Sequence, residues 1–270
     1  MKRWLYKNRR IFALLMAVMT AIAFNVTDVS ANVILPAAQE DDKADAESKF
    51  YNDGGLGANL LASGSCGASA NWEFYSDGEL RITGTGEMDF DTAPWKDYRK
   101  RIIRVVIAAG ISSLGGAGYN GAFEGCSSLT DVETPDSVTG LGNYTFQDCS
   151  SLTSIKIPAG VTAIGIHTFG SCSSLKGIEI PAGVTNIDDF AFVGCAGLTS
   201  IEIPDSVTNI GRYAFSECTS LTGIKIPAGV NNIGDWTGEG NAFSNCSSLG
   251  SIEVAEGNSN YDSREIVMQL

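Results

Sequence analysis

The stretch Ala191-Phe192-Val193-Gly194-Cys195-Ala196-Gly197-Leu198-Thr199-Ser200-Ile201-Glu202-Ile203-Pro204, followed by a turn and Val207-Thr208-Asn209-Ile210-Gly211, comes back along the chain every 23 residues. One cysteine marks each copy: Cys126, Cys149, Cys172, Cys195 and Cys218 stand 23 apart, and Cys246 follows after 28. A fixed period of about 20 to 29 residues with apolar side chains at set offsets specifies a solenoid, in which each copy is one coil stacked on the next. Such arrays serve binding far more often than catalysis.

The punctuation of one copy gives the course of one coil. Ile-x-Ile (Ile155 and Ile157, Ile178 and Ile180, Ile201 and Ile203, Ile224 and Ile226) alternates with period two, so it reads as a short strand with one buried face. Proline then ends it at a common level, at Pro135, Pro158, Pro181, Pro204 and Pro227. A tight turn and Val-Thr-x-Ile-Gly return the chain, and Ala-Phe-x-x-Cys-x-x-Leu, apolar every third residue, suits a short helical or 3-10 turn. The expected fold class is therefore an α/β repeat solenoid of about seven turns. Its strands are expected at 105–107, 132–134, 155–157, 178–180, 201–203, 224–226 and 252–254. Phe146, Cys149, Leu152, Ile155, Ile157, Val161 and Ile164 should point inward. Burying them is worth roughly 10 to 20 kcal/mol, while ordering a coil costs at least ~1 to 2 kcal/mol per residue. A lone coil cannot fold, and neighbours must stabilise one another.

Upstream, Trp72-Glu73-Phe74-Tyr75 and Glu79-Leu80-Arg81-Ile82-Thr83 flank an Asp77-Gly78 turn, which predicts a β-hairpin. Pro94 opens a short helical segment. Residues 60–104 are expected to cap the coil, residues 105–270 to form it. Two coils are longer than the rest: Gly115 to Gly121 adds four residues and Asp235 to Asn241 adds five, both just before the Phe-x-x-Cys turn. These loops carry Tyr119 and Trp236, aromatic contact candidates. The tail Glu256 to Tyr261 reads as the start of a variant repeat that stops short.

Residues 1–31 read as a signal peptide: Lys2, Arg3, Lys7, Arg9 and Arg10 precede an apolar run over 11–24, and Val29-Ser30-Ala31 offers small residues for cleavage. Residues 32–59, acid-rich at 39–49, read as a linker. The chain is thus expected to be secreted or displayed at a cell surface, with no membrane insertion after cleavage. The formal net charge is −13, and loss of five basic residues and Asp28 with the leader takes it to about −17. Nucleic acid is a poor partner for such a surface. Exported chains usually oxidise their cysteines, but equivalent residues in stacked coils point the same way and a disulfide needs converging Cβ atoms. Free, buried thiols are expected.

The string Cys-Ser-Ser-Leu-Thr-x-Ile-x-Ile-Pro-x-x-Val-Thr-x-Ile-Gly-x-x-x-Phe resembles the BspA-type leucine-rich repeat of bacterial surface proteins over 105–255. Ser63-Gly64-Ser65-Cys66-Gly67, Gly78 to Gly86 and Ala93-Pro94-Trp95 resemble the region that precedes such repeats. The resemblance implies a leucine-rich-repeat solenoid exported by bacteria, with adhesion-type protein binding as its use.

No catalytic or cofactor constellation accompanies the repeats. The one histidine, His167, falls in an aromatic column with Tyr144, Phe190 and Tyr213. Cys66 is the one cysteine expected outside the core. Asn258-x-Asn260-x-Asp262 lacks the glycine and terminal glutamate of a calcium loop, and Gly84-x-Gly86 is too short to cradle phosphate. No metal, no cofactor and no enzymatic activity are expected. The chemistry left is the exposed column of the strands: Glu133, Lys156, Glu179, Glu202, Lys225 and Glu253 alternate with the buried isoleucines, and Thr139, Thr162, Thr185, Thr208 and Asn231 form a second column. Protein binding on the ionic column is the main expectation; a carbohydrate-binding module or a structural spacer are the rival ones.

Overall fold

The structure, a computed structural model, describes residues 58–89, 93–115, 121–234 and 240–262. The expected signal peptide and most of the linker, Tyr119 and Trp236 lie outside the described residues. Every inward position expected for the coil is buried, from Phe146 and Cys149 to Val161 and Ile164, and the same holds for their equivalents in the next coils along the chain.

The hairpin unit consists of antiparallel strands β1 (Leu60–Ser65), β2 (Ala70–Tyr75) and β3 (Glu79–Gly84). Strand β4 (Gly86–Glu87) comes next, then β5 (Arg104–Ile107), β6 (Ile111–Ser113) and β7 (Asp131–Glu133). Because β3 pairs in parallel with β5, and β5 with β7, one five-stranded sheet runs in the order β1-β2-β3-β5-β7. Further along the chain lie β8 (Ala163–Ile164), β9 (Asn186–Ile187), β10 (Asn209–Ile210), β11 (Gly223–Ile226), β12 (Asn232–Ile233) and β13 (Ser251–Val254). Strands β12-β10-β9-β8 form a parallel ladder from the Val-Thr-x-Ile segments, and β11 pairs with β13.

Two expectations require correction. The strands foreseen at 155–157, 178–180 and 201–203 are single bridges, Lys156 to Glu179 and Glu179 to Glu202. In these rungs proline follows both partners, so no N–H is available to extend the ladder. Where one partner is followed by alanine the pairing lengthens: Ala255 N–H donates to the Ile226 carbonyl at 2.9 Å, next to β11–β13, and Ala108 N–H to Ile82 at 2.9 Å, next to β3–β5.

The α component of the α/β class is also absent among the described residues. Their single helical element is the 3-10 segment Lys96–Arg101. The Phe-x-x-Cys stretch is a run of turns whose N–H groups alternate in direction. In one coil, His167, Phe169 and Ser171 donate to the next coil, to Asp189, Ala191 and Val193, while Thr168, Gly170 and Cys172 donate back to Gly165, His167 and Phe169. A helix would direct all of these N–H groups along its own axis, so the three links of this stretch to the next coil would be lost. Alternation requires left-handed backbone: Tyr144, His167, Phe190 and Tyr213 have φ of 57°, 52°, 60° and 54°, and Asp148, Ser171, Glu217 and Asn245 lie between 58° and 61°. Bulky residues resist this conformation by ~1–2 kcal/mol, and here ring stacking holds it, with His167 5.2 Å from Tyr144 and 4.7 Å from Phe190.

Two buried columns run the length of the stack. Phe123, Phe146, Phe169, Phe192, Phe215 and Phe243 stack at 5.3 to 5.7 Å, and Trp95 extends the spine at 5.8 Å from Phe123. Beside it run the six repeat cysteines from Cys126 to Cys246; these and Cys66 are all free and buried. From Cys149 onward each thiol donates to the phenylalanine carbonyl of the preceding coil, as Cys172 Sγ to Phe146 at 3.2 Å and Cys195 Sγ to Phe169 at 3.1 Å. That carbonyl already accepts the N–H of its own coil's cysteine, Phe169 from Cys172 at 3.2 Å. Cysteine thus fits as a small apolar group that still carries a weak donor for the second lone pair.

Candidate functional site: the exposed strand face

Alternation puts Glu133, Lys156, Glu179, Glu202, Lys225 and Glu253 on the solvent side of the strand rungs, all of them exposed. Parallel stacking aligns them. Lys156 bridges Glu179, Glu179 bridges Glu202, and Lys225 faces Glu253 across β11–β13. Thr134 Oγ1 donates to the Lys156 carbonyl at 2.7 Å, which ties the Glu133 rung to the next.

The charges are compensated at the two ends of this column and not in its middle. Arg104 pairs with Glu133 and lies 3.2 Å from Asp131. Lys156 reaches Asp136 at 3.1 Å, and Lys225 reaches Glu253 at 3.8 Å. Glu179 and Glu202 form no ion pair among the described residues. Exposed pairs of this kind contribute at most ~1 kcal/mol each to folding; their effect is to leave two adjacent carboxylates as the face's focus of negative charge. Around these two the surface opens into a depression of about 710 Å³, lined by Gly177, Glu179, Ala182, Ser200, Glu202 and Pro204. It is open because the neighbouring column is small here: a side chain added at Gly177 would meet nothing within 4 Å.

Sequence reasoning identified the column but missed the partners that neutralise its ends. Arg104, Asp131 and Asp136 sit beside it, one column over or in the turn just beyond, and a rung-by-rung register would have brought Arg104 against Asp131. The threonine column is less available than it looks in sequence. Thr185 and Thr208 hydroxyls donate to the carbonyls of Thr162 and Thr185 at 3.3 Å, so their protons are engaged and the outward lone pairs remain.

The set-aside groups are held in structural roles. His167 is half-buried in the Tyr144–Phe190 stack; burial pushes its imidazole below the usual range, with the Asp148 carboxylate opposing. Cys66 departs from expectation, being 2% exposed and part of the core, with its thiol pushed up to about 11 by burial. Its carbonyl accepts Asp89 N–H at 2.6 Å, which draws that turn inward. Asn258 does not open toward a cation: its side-chain amide donates to the Pro227 and Val230 carbonyls, and Tyr261 accepts Ile233 N–H at 3.0 Å. No group of side chains suited to a metal occurs among the described residues.

Stacked parallel coils, an aromatic spine and an exposed variable strand face define a leucine-rich-repeat solenoid. The BspA-type leucine-rich-repeat region matches in six copies over residues 102–195 and 162–265, and the chain belongs to that family. Its fold is similar to that of a leucine-rich repeat protein of Bacteroides ovatus, at 23% identity and a TM-score of 0.57 over 76% of this chain and 53% of that one. A leucine-rich repeat protein of T. pallidum matches at 24% identity and a TM-score of 0.51, over 69% of this chain and 91% of that one. A leucine rich cell surface protein of Faecalibacterium prausnitzii matches at 27% identity and a TM-score of 0.51, over 73% and 55%. The chain therefore spans about half the length of the Bacteroides and Faecalibacterium proteins. No curated protein matches it.

Proposed function

We propose that this is a non-enzymatic, secreted or cell-surface protein of the adhesion type, which binds another protein on its strand face. The observation that carries the reading is the pair Glu179 and Glu202, adjacent, exposed, without ion-pair partners among the described residues and set in an open depression. Two carboxylates one strand spacing apart suit a basic segment, since complementary charge speeds encounter and fixes register. Glu133, Lys156, Lys225 and Glu253 then flank the centre as a polar rim, with Tyr119 and Trp236 as further contact candidates. In this reading residues 1–31 direct export, 32–59 form a spacer and 60–104 cap the first coil. The β3–β5 pairing and the stacking of Trp95 on Phe123 support the capping role.

A glycan-binding module would need open aromatic faces. Along the outer column Tyr144, His167, Phe190 and Tyr213 present their faces to one another at 4.7 to 5.2 Å, which disfavours sugar stacking between them. The deciding experiment probes the chain against immobilised envelope proteins, matrix proteins and glycans, beside its Glu179→Lys/Glu202→Lys form. Protein binding that weakens with salt and disappears in the double variant supports the recognition face. Glycan binding independent of salt, or the absence of any ligand, would replace it with the carbohydrate-binding or the spacer reading.

A further inference from the structure

The basic side chains are gathered at one end of the stack. Lys96, Arg99, Lys100 and Arg101 fall within the single 3-10 segment ahead of β5, with Asp97 as the one acid among them. None of the four enters an ion pair among the described residues, nor do the isolated Lys176 and Arg212, whereas Arg81, Arg104, Lys156 and Lys225 all do. The segment is fixed rather than loose. Ser128 Oγ donates to the Lys100 carbonyl at 2.8 Å, and the Arg101 guanidinium lies 5.4 Å from the Phe74 ring and 5.9 Å from that of Tyr98. Ile103 follows at 47% exposure, one of three large apolar side chains exposed among the described residues, all in this unit. The result is a rigid cationic ridge with an apolar edge on an otherwise acidic chain.

The ridge and the Glu179–Glu202 depression are complementary in charge and cannot meet within one molecule. The Glu179 rung lies three rungs beyond β5, passing through β7 and the Lys156 rung, a separation of roughly 14 Å along the stack at the usual strand spacing. Two molecules have no such obstacle. We propose that a second copy of this chain is a partner of the strand face, its Lys96–Arg101 ridge seated on Glu179 and Glu202. This rests on reading that face as a site for basic segments. The two patches differ, so the contact is head-to-tail, and each added copy leaves a ridge at one end and a depression at the other. Association of this kind also covers the recognition face, so copies compete with any other basic ligand.

Salt separates this from nonspecific behaviour. Net charges of the same sign repel, so adding salt to an acidic protein ordinarily favours association, while a contact between opposite patches weakens as salt is added. Sedimentation velocity on the purified chain at about 0.01 M and about 0.15 M salt, with screening lengths of roughly 30 and 8 Å, reads the sign directly. We expect concentration-dependent growth at the lower salt that weakens roughly tenfold or more at the higher. Lys100→Glu/Arg101→Glu should be monomeric, as should Glu179→Lys/Glu202→Lys, and the chain carrying all four changes should associate again. A monomer at every concentration, association strengthened by salt, or no rescue in the fourfold variant would overturn the proposal. A synthetic Arg-Gly peptide added to each form tells the two readings apart. If it binds wild type and not the Glu179→Lys/Glu202→Lys variant while copies stay monomeric, self-association falls and the recognition face stands; if it binds neither, both fall.

Discussion

The inner wall and the strand face of this solenoid are made by the same rungs yet obey opposite rules. Inside, phenylalanine and cysteine recur in every coil from Phe123 and Cys126 to Phe243 and Cys246, because each ring must stack on the next and, from Cys149 onward, each thiol must reach one carbonyl. Outside, one position reads Glu, Lys, Glu, Glu, Lys, Glu, with no stacking partner to satisfy. The inner columns therefore determine stability, and the outer column carries the charge proposed to meet a partner.

The largest test of that division is alkaline pH. Burial raises the thiols of Cys126 and Cys172 to about 12, and those of Cys149, Cys195 and Cys218 upward as well. The folded chain favours the neutral thiol, so this stability is complete below the unfolded thiol value of roughly 8.5 and is lost as pH rises above it. Each buried thiol then contributes a slope of about 1.4 kcal/mol per pH unit. Thermal melts should be flat from pH 7 to 8 and fall steeply by pH 10; a midpoint that holds at pH 10 would contradict the buried thiol column.

Next in size is a break in the spine. Phe192→Ala should cost about 3–5 kcal/mol in urea unfolding, and, since coils depend on their neighbours, hydrogen exchange on either side should lose its common protection. Cys195→Ala, which removes only a weak donor and a small volume, should cost about 1 kcal/mol; an equal loss from both substitutions would mean the columns are not distinct. His167 gives a smaller, acid-side effect. Its folded-state value is lowered, so its contribution is whole above the unfolded value of roughly 6.5 and declines as pH falls through it. His167→Phe, which copies Phe190, should flatten that limb of the melting curve. Smallest is the face: Glu179→Lys/Glu202→Lys should shift unfolding by less than ~0.5 kcal/mol while changing binding, and a large loss of stability would show that the face also builds the fold.

Sequence made the inner wall legible because burial imposes a period. The inward residues of the coil and the His167 stack could be read from spacing alone. The hydrogen bonding could not. Whether Ile-x-Ile forms a ladder or a single bridge depends on the residue after each of the two partners, and the effect of Pro181 on the Lys156 rung emerges only with the register. The Phe-x-x-Cys turn looked helical because apolar residues fell every third position, but its N–H groups go to the next coil, and periodicity carries no record of where a donor points. Left-handed Tyr144 and Phe190 run against propensity and are held by stacking that single-residue preferences do not contain. At the strand face, charge was visible and compensation was not, since Asp136 lies 20 residues from Lys156.

Most side-chain bonds between coils share one direction, the forward bond from Thr134 to Lys156 being an exception. Cys149, Cys172, Cys195, Cys218 and Cys246 all donate to the coil before their own, and Thr130, Thr199, Ser206 and Thr222 do the same. Acceptors are therefore in place before the groups that engage them arrive, in any chain delivered from its N-terminus. Each coil brings these side-chain donors to the edge already formed, while backbone N–H groups such as those of Phe169 and Ser171 await the carbonyls of its successor. Assembly in that order works as a ratchet: a coil that slides back must release its own latches.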